Sequence, residues 1–148
     1  MAREPGLRER AVRLLARREH TRAELAGKLA PHLVEGEDLE ALLDELSRRD
    51  LLSDARYVES RIHRLGRKYG AARIERELRA KGLSKETAAA AATTARATEL
   101  ERAREVWSKK FRSLAKTREE RARQARFLRQ RGFSYDAIHS VIGRVEQG

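Results

Sequence analysis

Arg73, Arg76 and Arg79, and fifty residues on Arg123, Arg126 and Arg129, are the residues of this chain whose type and spacing best suit chemistry. A row at i, i+3 and i+6 covers one side of a helix over a length of roughly 9 Å. Guanidinium groups stay charged at every relevant pH and grip phosphate or carboxylate through paired hydrogen bonds, so such a row suits a line of anions. Lys81 and Arg131 extend the two rows at the same offset. Arginine on the wet face of a helix serves solubility in many proteins. The same triplet recurring in register is what points to binding.

Catalysis has little to work with. His20, His32, His63 and His139 are scattered without metal-ligand spacing, and there is no paired carboxylate. Gly66, Gly70 and Gly82 sit in helix-boundary contexts rather than in a phosphate loop. Cysteine is absent, which removes disulfides, zinc fingers and thiol nucleophiles, and fits a reducing cytoplasm. Asp54, Arg56 and Arg61 read as a surface ion-pair set. The expectation is a protein that binds, without enzyme activity, cofactor or metal.

The segment GAARIERELRAKGL at 70–83 must position the first row. As a helix it aligns Ala71, Ile74 and Leu78 in one apolar stripe, with the arginines pointing away. Lys81-Gly82 closes it with a cation and a glycine, which predicts a positive φ at Gly82. Leu83 packs back and Ser84 caps the next helix. Leu128, Gly132, Phe133 and Ser134 repeat Leu78, Gly82, Leu83 and Ser84. A fainter echo, TRAELAGKLA, lies 53 residues before Leu78, with Leu25 under Leu78 and Lys28 under Lys81. In that register His20, Ala23 and Ala26 replace the arginines. A unit of about fifty residues occurring three times signals a helical repeat protein.

The rest of the chain agrees. Hydrophobic residues make up 40% and aromatic residues 5%, with two prolines, a balance that favours helix over sheet. Thr21-x-x-Glu24 and Thr117-x-x-Glu120 are capping-box patterns. The expected organisation is nine helices in three groups of three, with repeats at 9–52, 53–97 and 98–146. The fold class is all-α: three tandem three-helix repeats forming an elongated, curved array. No run approaches the ~18 apolar residues of a membrane span, and MAREPG opens without the apolar stretch of a signal peptide. A soluble cytoplasmic protein is expected.

Net charge is +11, unevenly placed. Residues 1–52 hold ten Lys/Arg against eleven Asp/Glu, while 53–98 hold eleven against five and 99–148 thirteen against seven. A polyanion or an acidic protein surface is the implied partner of the later repeats.

Four segments together have a specific look: RREHTRAELAGKL (17–29), LLSDARYVESRI (51–62), YGAARIERELRAKGL (69–83) and FLRQRGFSYDAI (127–138). In this order they resemble the RecX family of bacterial recombination regulators, over nearly the whole chain. Val58 departs from the family's usual alanine after the tyrosine. The resemblance implies a non-enzymatic antagonist that lies in the groove of the RecA filament and restrains strand exchange, ATPase and co-protease activity; a monomer is expected. From the recurring arginine rows, Arg73, Arg76, Arg79, Lys81, Arg123, Arg126, Arg129 and Arg131 are expected to meet filament protein or single- or double-stranded DNA. A free-standing nucleic-acid-binding helical protein is the alternative. A recognition helix would place base-reading side chains at its N-terminus, where these helices have Gly70-Ala71 or Thr117.

Overall fold

The computed structural model describes residues 3–143. Among them the chain forms nine α-helices and no strand. The first group is α1 (Leu7–Arg17), α2 (Arg22–Leu29) with a 3₁₀ turn at Ala30–His32, and α3 (Leu39–Arg48). The second is α4 (Asp54–Gly66), α5 (Ala71–Ala80) and α6 (Lys85–Arg96); the third is α7 (Glu99–Lys110), α8 (Arg118–Gln130) and α9 (Tyr135–Ile142). The all-α, three-by-three organisation read from the sequence is the observed one. For the repeats we propose limits of 9–52, 53–97 and 98–146, of which residues 144–146 lie outside the described residues.

Packing divides the chain differently. One compact unit runs to Ser60 and takes in Ala80–Leu83; the other comprises Arg61–Arg79 and the chain from Ser84 onward. The first unit is built on Leu7, Ala11, Leu25, Leu29, Leu43, Leu46 and Leu52, all buried. A leucine so placed contributes about 1.5–3 kcal/mol by leaving water. Thr21 and Glu24 complete the full capping box of α2, and Asp38 caps α3. Arg22 reaches Glu40 and Asp44 of α3 at 2.7 and 2.8 Å, which uses part of that helix's acidic charge internally.

The second unit has its apolar cluster under α7, α8 and α9. Ala103, Val106, Ala125, Leu128, Phe133, Ile138 and Ile142 are buried there, with Trp107 and Phe127 packed beside them. Gln124 is buried yet satisfied, accepting from Trp107 Nε1 at 2.9 Å and donating to Ser113 O at 3.3 Å. In α6 the buried alanines are Ala88, Ala91, Ala92 and Ala95, at helical spacing, so the alanine run is a packing face that allows close approach. Thr117 caps α8 by accepting from Glu120 N, and the Glu120 carboxylate accepts in turn from Lys116 N at 2.8 Å.

The register of the first repeat differs from the sequence expectation by one helical turn. Counted from the helix starts, Thr21 corresponds to Gly70, so Leu25 lies under Ile74 and Leu29 under Leu78. All four are buried. The offset of 53 matched Lys28 to Lys81, but α2 ends at Leu29 and breaks into the Pro31 turn, leaving Lys28 inside the helix and Lys81 beyond one. Pro31 lacks the N–H to continue an α-helix, which is why the shift arises there. In the corrected register Glu24, Gly27 and Ala30 occupy the places of Arg73, Arg76 and Arg79, so the first repeat still lacks the row.

Candidate functional site

The second helices of the first two repeats, α2 and α5, are each held at the N-terminus by the same kind of joint. The first free N–H of α5, on Ala71, donates to Glu99 Oε1 at 2.9 Å, and Gly70 N donates to Arg131 O at 2.8 Å. In the first unit Arg22 N, at the start of α2, donates to Asp54 Oδ1 at 2.9 Å, and Thr21 Oγ1 donates to Lys81 O at 2.8 Å. Each time, the acid that opens the first helix of one repeat caps the second helix of the repeat before. Each time, the closing loop of the later second helix seats on that same terminus. A helix N-terminus carries partial positive charge and unpaired N–H groups, so a carboxylate and a carbonyl are what it needs.

Glycine makes the approach possible. Gly82 and Gly132 have φ of +87° and +88°, as the sequence predicts. A Cβ on Gly132 would lie 2.5 Å from Arg73 N, one on Gly70 2.5 Å from Phe133 Cα, and one on Gly82 would collide with the Ala23 methyl. Leu83 and Phe133, the apolar residues after the loop glycines, are buried.

This joint takes Arg73 out of the row. Its Nε donates to Glu77 Oε1 at 3.0 Å, its Nη1 donates to Gln130 O at 3.3 Å, and its guanidinium lies 4.7 Å from the Tyr69 ring centroid. Arg73 sits in the first turn of α5, under the loop after α8, and acts there as a staple. Arg76, Arg79, Lys81, Arg123, Arg126 and Arg129 are all exposed. Arg131 is half-buried with its guanidinium 4.6 Å from the Phe127 ring centroid. The wet part of each row therefore starts after the first residue of the triplet in α5 and includes the whole triplet in α8. Because the loop after α8 abuts the start of α5, the negative end of one arginine helix meets the positive end of the other.

Sequence reasoning missed the roles of Asp54 and Arg102 in this frame, and read Arg56 as an ion-pair residue without its partners. Asp54 caps α2. Arg56 pairs at 2.9 Å with both Glu19 and Asp50. Arg102 donates to Gly66 O at 3.1 Å, Tyr69 O at 2.5 Å and Ala95 O at 2.6 Å, gathering the carbonyl ends of α4 and α6. Burial pulls the Arg102 pKa below the ordinary arginine range while Glu99 opposes the shift, and the group stays charged near neutrality. An acid at a serine-capped helix start was the available signal for Asp54; nothing in the local sequence distinguishes Arg102 from its neighbours.

His20 is fully buried, with Nδ1 3.1 Å from Arg18 O and Nε2 2.9 Å from Lys28 Nζ. Burial holds its pKa below the usual value, with Arg18 and Lys28 adding to the effect. Among the described residues no group of three or more His, Cys, Asp or Glu side chains could hold a metal ion, and no helix is long and apolar enough to cross a membrane.

Family models of RecX match the chain in three consecutive blocks: the first three-helix domain over residues 8–46, the second over 53–91 and the third over 97–142. Regulatory protein RecX of Leptothrix cholodnii is 48% identical over 136 residues, spanning 92% of this chain and 87% of that protein. Regulatory protein RecX of Herminiimonas arsenicoxydans is 42% identical over 141 residues, spanning 95% and 93%. In fold, the chain is similar to the crystal structure of RecX from Lactobacillus salivarius, with TM-score 0.79 at 23% identity over 94% of each chain. A second crystal structure, of regulatory protein RecX, gives TM-score 0.77 at 21% identity over 91% of this chain and 70% of that one.

Proposed function

The chain belongs to the RecX family, and from that premise we propose that it restrains the RecA recombinase through the water-facing arginines of α5 and α8. It is a non-catalytic negative regulator that binds the RecA–DNA filament and inhibits strand exchange, ATPase and co-protease activity. It acts as a monomer in the cytoplasm. Arg76 and Arg79 on one helix and Arg123, Arg126 and Arg129 on the other are the contact residues, with Lys81 and Arg131 at their ends. Arg73 supports them from within the joint. The observation that carries this reading is the recurrence of an arginine face on equivalent helices of two repeats, together with its absence from the first.

A filament offers two anionic surfaces, acidic protein and DNA phosphate, and arginine suits both. Purified chain titrated into RecA filaments on single-stranded DNA, with ATP hydrolysis as the readout, tests the residues. Changing Arg76 and Arg79 to Gln, or Arg123, Arg126 and Arg129 to Gln, should raise the inhibitory concentration at least tenfold without altering helicity. Undiminished inhibition by both variants would return the rows to a solvated surface. Binding to naked DNA separates the partners: if phosphate is the contact, the slope of log K against log salt falls by roughly one per lost contact. If acidic protein is the contact, naked DNA binds weakly from the start and the variants change little.

A further inference from the structure

The first repeat, near neutral as a whole, has a groove whose charged lining is entirely cationic. Arg10, Arg13 and Arg17, at i, i+3 and i+7 on α1, face it together with Lys28 of α2 and His32 of the following turn. Its floor is apolar, from Pro5, Leu14 and Leu29, and its volume is about 340 Å³. No carboxylate among the described residues lines it. The acidic residues that balance the repeat are elsewhere, several on α3, where Glu40 and Asp44 pair with Arg22 and Glu45 pairs with Arg8.

Two observations distinguish this cluster from scattered surface charge. Lys28 is held: its ammonium lies 2.9 Å from Nε2 of the buried His20, whose Nδ1 is 3.1 Å from Arg18 O. With Nδ1–H donating to that carbonyl, Nε2 is left to accept from Lys28, which places a flexible cation at the rim of the groove. The arginines are also available. Arg17 makes no ion pair among the described residues, while Arg13 meets Glu9 at 2.9 Å and Arg10 meets Glu4 at 3.8 Å in pairs open to water. Exposed pairs of this kind contribute little and exchange readily for a stronger anion.

We propose that the groove between α1 and α2 is a binding site for a nucleoside phosphate, separate from the arginine faces of α5 and α8. Arg13, Arg17 and Lys28 meet the phosphate, whose several oxygens suit converging guanidinium and ammonium donors better than a two-oxygen carboxylate does. The sugar and base lie over Leu14, Leu29 and Pro5. The volume falls at the small end of the range of ligand pockets, about 300–1,000 Å³, so one nucleotide fits rather than a folded surface. A free nucleotide and one residue of a single strand present the same chemistry.

Calorimetric titration of the full chain with ATP, AMP, inorganic phosphate and a short oligothymidylate tests the site. Saturable binding of ATP or AMP is expected, weakened at least tenfold by Arg17→Gln and by Lys28→Gln, and unchanged by Arg76→Gln with Arg126→Gln. Nucleotide binding without oligothymidylate binding assigns the site to free nucleotide; the reverse assigns it to a strand; both support the chemistry. His20→Leu should weaken binding as Lys28→Gln does, and His20→Gln, which returns an acceptor to Lys28, should recover it. Phosphate binding as tightly as AMP would overturn the role of the apolar floor. No saturable binding of any nucleotide probe, or binding indifferent to Arg17 and Lys28, would overturn the site.

Discussion

Gly132→Ala isolates the joint that positions the arginine helices. Two effects add at this position. The φ of +88° is one that an L side chain adopts at a cost of about 1–2 kcal/mol, of which about 0.4–1 kcal/mol is returned by the stiffer unfolded chain. The new Cβ would also stand 2.5 Å from Arg73 N, a backbone atom inside α5 that cannot rotate away. The first turn of α5 must therefore move, loosening the Gly70 N to Arg131 O bond and the seat of Phe133. A hydrogen bond of that kind is worth about 1 kcal/mol and forced repacking about 1–3 kcal/mol. The sum is about 2–6 kcal/mol. Gly36→Ala is the control, because Gly36 has φ +90° and nothing within 4 Å of its Cβ direction. It should cost about 1 kcal/mol from backbone conformation alone. Urea unfolding followed by circular dichroism measures both. Equal losses for the two variants would refute the close approach and leave only the turn conformation.

Leu78→Ala and Leu128→Ala should each lower stability by about 2–5 kcal/mol in the same assay, since both side chains are buried; unchanged midpoints would reject their equivalence as anchors. Gly27→Ala, inside α2 with open space around its Cβ direction, should instead raise stability by about 0.5–1 kcal/mol, and any loss would show an unrecognised contact. Acidification should act through His20. Its pKa is depressed in the fold mainly by burial, so its contribution is whole above the unfolded value near 6.5 and is lost as pH falls through the lower folded value. Melting temperature should drop over that window, and His20→Gln should flatten the drop; an identical profile in the variant would remove His20 as the cause.

Much of this architecture is legible in the sequence because the repeat restates its signals. Leu78 and Leu128, Gly82 and Gly132, Leu83 and Phe133, Ser84 and Ser134 each say the same thing twice, and two statements in register outweigh local ambiguity. The first repeat speaks less clearly. Its second helix lacks the Lys-Gly-apolar-Ser closure and breaks at Pro31, so the only handle was a leucine and a lysine, which align equally well one turn out of place. Arg73 was grouped with Arg76 and Arg79 because spacing reveals which face a residue occupies, not what another repeat lays over it. The same limit hid the role of Asp54, whose partner Arg22 N is 32 residues away. Net charge misled in the opposite direction. A repeat with ten cations and eleven anions looks inert, yet Arg10, Arg13 and Arg17 share one side of α1, while several of the anions lie on α3.

Whether the arginine faces hold the filament is decided by the affinity of the chain for preformed RecA filaments on fluorescent single-stranded DNA, read by anisotropy at fixed salt. The variant carries Gln at Arg76, Arg79, Arg126 and Arg129, and Arg73 is kept so that the joint stays intact. Melting should be unchanged and affinity lower by at least tenfold, with inhibition of strand exchange lost in parallel. Wild-type affinity in a variant without those four charges would show that RecA is held by another surface.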